Sequence, residues 1–159
     1  MSKRAQSWGF DLLIGASIFL TGVLFFYVYV YSLSGGQVSK LDTFTNDGNK
    51  VANALLSSGS PENWNEGNVK KIGILSDGKI NDTKLQEFYS FSISNYEKTK
   101  VLFNVNFDYY ISFNDPIDAG NGQVLGIGRE PVNPENLIKV TRVVIYNEKP
   151  ETLNVIIWE

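Results

Sequence analysis

The sequence predicts an α+β fold: a long N-terminal helix, transmembrane at its start and amphipathic beyond, packed on a mainly antiparallel sheet of about four or five strands with short inserted helices. Three features point to it. No charged residue occurs from Leu12 to Leu33. Between Val38 and Leu55 apolar residues recur at spacings of three and four, the stripe of an amphipathic helix. From Val105 onward, aromatic and β-branched runs alternate with turn residues.

The uncharged run is long enough for a bilayer. At about 1.5 Å per residue it reaches roughly 33 Å, against a hydrocarbon core of about 30 Å. Tyr27, Tyr29 and Tyr31 cluster at its far end, as suits a membrane interface. Lys3 and Arg4 precede it, and the next basic residue is Lys40. The positive-inside tendency then places the N-terminus in the cytoplasm and residues 34–159 outside, as a single-pass membrane protein. A buried helix of a soluble protein and a removable secretory signal are the alternatives; the run is longer than the usual apolar core of such a signal.

Ser34-Gly35-Gly36 predicts a joint beyond the membrane. The amphipathic stripe follows, through Val38, Leu41, Phe44, Thr45, Gly48, Val51, Ala52 and Leu55, with Gly59 as a cap and Pro61 as a stop. Residues 61–68 read as a loop anchored by Trp64. Lys71 to Leu75 reads as a short strand, and Ser76 to Lys79 as a tight turn. Asp82 or Thr83 caps a helix to about Phe91, and a second helix spans Asn95 to Phe103. Strands follow over Val105–Phe113 and Val124–Arg129, with Asp115-Pro116 and Gly120-Asn121-Gly122 as punctuation. A terminal hairpin pairs Leu137–Tyr146 with Thr152–Trp158 across NEKPE. Val140, Arg142, Val144 and Tyr146 share one face of it, Thr141, Val143 and Ile145 the other.

Composition narrows the function. The net charge is −3, which offers no basic footprint for nucleic acid. The sequence has no histidine and no cysteine. A Ser-His-Asp triad, a thiolate nucleophile, a disulfide and a cysteine-based metal site are therefore excluded. No cofactor is expected, and an anchored extracellular enzyme is the least favoured class. Gly126-Ile127-Gly128 lacks the third glycine and following helix of a phosphate loop, so it reads as strand glycine. Asp77, Lys79, Asn81 and Asp82 lack the spacing of a calcium loop and read as turn chemistry. Asp115, Asp118 and Asn121 are weak candidates for oxygen ligands around calcium, against the plainer reading of a solvated turn. Glu62, Glu66 and Asp108 show no spacing that favours a glycosidase pair over surface charge. Asn81-Asp82-Thr83 is the only N-x-S/T triplet, an acceptor for glycosylation on the exported side. Tyr109 and Tyr110, adjacent on one strand, point to opposite faces, one to the core and the other to the surface.

The KRAQS opening resembles the class III signal of archaeal type IV pilin-like proteins. The stretches GSPENW, IGILSDGKINDTKL and NFDYYISF, with the closing hairpin and its terminal tryptophan, are similar to archaeal pilin-like proteins over most of the chain. The resemblance implies a leader over residues 1–5, cut by a prepilin peptidase between Ala5 and Gln6. It implies a membrane-spanning helix and joint over 6–36, and an extracellular α+β domain over 37–159. Asp11 would stand for the acidic residue that pairs with the free amine of a neighbouring subunit. It is sixth counting from Gln6, where the family usually has the fifth, and Ala5 replaces the commoner glycine. Gly15, Ala16 and Gly22 would allow close helix–helix approach in a filament.

The expected function is thus a structural one, a major or minor subunit of a surface filament. Its partners would be the membrane, copies of itself or other pilin-like subunits, and the prepilin peptidase. The alternative is a permanently anchored extracellular binding domain of a cell-surface complex. Asp11 would then be an interfacial residue favoured by the dipole at a helix N-terminus.

Overall fold

The structure, a computed structural model, describes residues 3–118, 120 and 122–159, with side chains over 9–32 and from 40 onward. Helix α1 spans Lys3–Leu55 and is followed by strands β1 (Leu75–Ser76) and β2 (Lys79–Ile80). Helices α2 (Asp82–Ser94) and α3 (Tyr96–Phe103) come next. Strands β3 (Asp108–Asp118), β4 (Gln123–Gly128), β5 (Leu137–Tyr146) and β6 (Lys149–Trp158) complete an α+β fold. The chain divides into two compact units, Met1–Lys40 and Leu41–Glu159.

In the first unit the backbone is helical through Ser34-Gly35-Gly36, where the sequence predicts a joint. Glycine lowers helix propensity by about 1 kcal/mol against alanine without forbidding the conformation. The predicted cleavage residues Ala5 and Gln6 lie in this helical backbone, and their side chains are outside the described residues.

The second unit is built on a mixed sheet of order β1-β2-β5-β6-β3-β4, in which only the β2–β5 pair is parallel. Its first helical segment buries Phe44, Val51, Ala52 and Leu55, while Leu41 and Thr45 of the predicted stripe are exposed; the side chain of Val38 lies outside the described residues. Gly48 lies where an added Cβ would meet Val140 Cγ2 at 2.7 Å, so the helix crosses β5 at near-backbone contact. Leu153, Val155 and Ile157 of β6 and Tyr109, Ile111 and Phe113 of β3 supply the sheet side of the core. Ile138, Val140 and Val144 complete it from β5, whose Val143 points outward. This is the face assignment that the alternation predicts. Tyr109 is buried, and Tyr110 lies on the opposite face over Gly126, whose Cβ its ring would block.

Several boundaries differ from the sequence reading. Residues 71–74 do not form a ladder strand. Apart from an isolated bridge between Ser60 and Lys71, this segment turns to the carbonyl end of α1. The Ile74 N–H donates to Leu55 O and the Leu75 N–H to Ser57 O, both at 3.0 Å. These bonds satisfy carbonyls that a helix end leaves without partners. Helix α2 is capped by Asn81, whose side chain accepts from Lys84 N–H, and it continues to Ser94.

Strand β3 starts at Asp108 and runs through Pro116, where the sequence suggests an end. Pairing with β6 stops at Phe113, and the ladder to β4 is irregular between Ser112 and Ile117. No ladder donor is required of Pro116 there. The terminal hairpin closes in two residues, Asn147 (φ 49°) and Glu148 (φ 63°), so Lys149 and Pro150 already belong to β6. Positive φ at both positions gives the twist that tight hairpins favour.

Candidate functional site

Three regions carry chemistry beyond packing. The first is the span Gly9–Ser32, 24 residues, the one helix among the described residues long and apolar enough to cross a membrane. Every large apolar side chain from Phe10 to Tyr31 is at least 43% exposed. The Ser17 hydroxyl donates to Leu13 O and that of Thr21 to Ser17 O, each at 2.8 Å. Both polar groups are thus satisfied within the helix, as an apolar surrounding demands. Asp11, Gly15 and Gly22 follow one another at spacings of four and seven, so they fall on one face, with Ala16 beside it. Nothing lies within 4 Å of a Cβ built on Gly15 or Gly22. The result is a shallow track headed by a carboxylate.

The second region is a charged cluster at the base of the sheet. Asp108 accepts from Lys100 Nζ at 3.0 Å and from Arg129 Nη1 at 2.8 Å, and Glu97 lies within 4 Å of both cations. The Arg129 guanidinium sits 4.8 Å from the centre of the Tyr96 ring. The Tyr96 hydroxyl donates to Tyr109 O and accepts from Tyr109 N–H, closing the strand end over α3. Burial alone would raise the Asp108 pKa, but the bonds and charges of Lys100 and Arg129 outweigh it and hold the carboxyl below its ordinary 3.8. Burial pushes the Tyr109 phenol up to about 12, against the opposing effect of its hydrogen bond with Thr99.

The depressed carboxyl has a defined pH signature. A group whose folded pKa is lowered stabilises the fold above its unfolded value and loses that contribution as pH falls through the folded value. Asp108→Asn should therefore cost about 0.5–1 kcal/mol at neutral pH, because its partner Arg129 is largely solvated. The difference from wild type should shrink below pH 3.8. Urea unfolding of both proteins between pH 2 and 7 checks this, and an unchanging difference across that range would refute it.

The third region is a cavity of about 440 Å³ beside the start of α2, lined by Glu62, Asn63, Asn65, Asn81, Lys84 and Glu87 among others. Lys84 is buried, and its ammonium donates to Ser58 O at 2.9 Å and Leu75 O at 3.0 Å. In sequence this lysine carries no motif that marks it as buried. Its signal was the position four residues before Phe88, on the apolar face of α2 that also holds Phe91.

The other sequence candidates are placed as follows. Asp115 and Asp118 are exposed, and Asp118 Oδ1 accepts from Gly120 N–H within its own turn. Asn121 lies outside the described residues. No group of three or more acidic side chains that could hold a metal occurs among the described residues. Glu66 accepts from the Ser94 hydroxyl, while Asp108 belongs to the charged cluster. Gly126 and Gly128 lie in β4 at close approaches to Tyr110 and Tyr109. Asp77 and Gly78, both at positive φ, form the turn between β1 and β2.

A membrane-length helix joined in sequence to an α+β domain on a mixed sheet defines the class of protein. The chain belongs to a family of unknown function, DUF7287, whose profile matches residues 2–158. No curated protein and no solved structure matches the chain.

Proposed function

We propose that this chain is a structural subunit, major or minor, of an archaeal type IV pilus-like surface filament. The observation that carries the reading is the exposed apolar span of Gly9–Ser32 with Asp11, Gly15 and Gly22 on one face. The KRAQS opening and its resemblance to prepilin leaders supply the family context.

On this reading the helix holds the subunit in the membrane with its N-terminus in the cytoplasm. A prepilin peptidase then cuts between Ala5 and Gln6 and leaves the helix on the mature chain. In the filament, helix–helix contacts replace lipid contacts, and the glycine track lets backbones approach. A carboxylate in that apolar bundle is costly unless paired, and the new α-amine of a neighbouring copy is a partner of opposite charge. The α+β domain forms the outer surface.

Intact mass and N-terminal peptide mapping of the protein from its native cells test the proposal. A chain starting at Gln6 is the expected result. A full-length chain dispersed in the membrane of cells with an active peptidase and assembly machinery would sink it and leave the permanently anchored domain.

A further inference from the structure

We infer that Asn81 carries an N-linked glycan whose first sugar lies over the cavity beside α2. The inference rests on the proposed export of the α+β domain. The Asn81-Asp82-Thr83 triplet has the acceptor pattern, and the structure adds three observations.

First, Asn81 has an extended backbone (φ −100°, ψ 120°) before the first turn of α2, with its own N–H donated to Ile74 O at 2.9 Å. The acceptor is therefore held at a fixed surface corner, and Thr83 is exposed beside it. Second, the Asn81 side-chain oxygen accepts from Lys84 N–H at 3.1 Å. A donor on the backbone requires the oxygen there, so Nδ2 is turned away from the helix end. The nitrogen that would be modified is not the atom that caps the helix. Third, Asn81 and Thr83 both line the cavity, whose other walls include Glu62, Asn63, Asn65 and Glu87, with the ammonium of Lys84 already held by two backbone carbonyls. Carboxylates and amides suit the hydroxyls of a neutral sugar, whereas the two glutamates disfavour an anion.

In the transfer, Asn81 Nδ2 forms a bond to C1 of a sugar activated as a phosphate or diphosphate ester on a lipid carrier. The C1–O bond to phosphate breaks, the phosphate leaves with the electron pair, and the amide proton passes to a base of the transferase.

The full chain from native cells is compared with Thr83→Ala and Asn81→Asp. The first variant leaves the cap intact. The second keeps a capping oxygen and removes the nitrogen. The expected result is a sugar mass on the Asn81 peptide of the wild type and its loss in both variants. Carbodiimide labelling of Glu62 and Glu87 should be lower in the glycan-bearing protein than in Thr83→Ala, and equal labelling would overturn the seating over the cavity. A membrane-impermeant amine reagent applied to intact cells separates the two readings. A labelled domain with an unmodified Asn81 overturns the glycan alone. An unlabelled domain with an unmodified Asn81 overturns the export reading and the glycan with it.

Discussion

Replacing Asp11 by alanine is expected to abolish filaments while leaving the α+β domain folded. Asp11 is exposed in a unit that ends at Lys40, and the domain core lies within Leu41–Glu159. Within the chain the substitution removes no contact that the core depends on. Within a filament it would strand the α-amine of each neighbouring copy in an apolar bundle. Removing one partner of a buried ion pair costs about 3–5 kcal/mol, and here the loss recurs at every subunit. Asp11→Asn should fail nearly as badly, since it keeps the shape and loses the charge. Filament counts by electron microscopy, read beside thermal unfolding of the same protein, separate assembly from folding. Wild-type filament numbers in both variants would remove the pairing role and leave Asp11 as a residue of the membrane surface.

The second large effect is expected at Gly73, inside the domain. A Cβ added there would stand 2.3 Å from Gly59 N and 2.3 Å from Ser57 O, both backbone atoms. Neither can rotate away as a side chain would. The Gly73 carbonyl also accepts the Trp64 indole N–H at 2.8 Å, so a displaced backbone would orphan a buried donor. Gly73→Ala should destabilise the protein by about 3 kcal/mol or more, a fall in Tm of roughly 10 °C. Gly78→Ala provides the contrast. It has open space around it and only a positive φ of 77°, so its cost should be about 1 kcal/mol. Urea unfolding of both variants decides, and equal costs would show that the crowding at Gly73 is relieved by movement.

The parts of the fold legible in sequence are those governed by neighbours along the chain. The alternation from Leu137 to Tyr146 fixes both the strand and its faces, because period two is a local property. The end of α3 at Phe103 is legible from Tyr96, Lys100 and Phe103 at helical spacing. Illegible parts depend on partners distant in sequence. Residues 71–74 look like a strand by composition, yet the Ile74 N–H goes to Leu55 O at the carbonyl end of α1 and the Lys71 N–H to Ser60 O. Pro116 and Pro150 look like terminators, yet β3 and β6 run through them. In both cases the neighbouring strand has already stopped pairing on one side, which no local pattern reveals. Lys84 was hidden because a buried ammonium satisfied by two backbone carbonyls looks, in sequence, like any helix lysine. The apolar span is legible because a long uncharged run is a contrast visible in one dimension.

The bonds where α1 meets the segment after it also set a load path. Leu55 O and Ser57 O accept from Ile74 and Leu75, and Lys84 ties Ser58 O to Leu75 O. Residues 56–74 are the covalent route between the helix and the first strand, but they are bridged at both ends. Tension along α1 passes through these cross-links in parallel and leaves the intervening loop slack. The end of the helix and the edge of the sheet thereby act as one mechanical element, and within the loop the packing of Gly59, Trp64 and Gly73 holds the two ends of that element together.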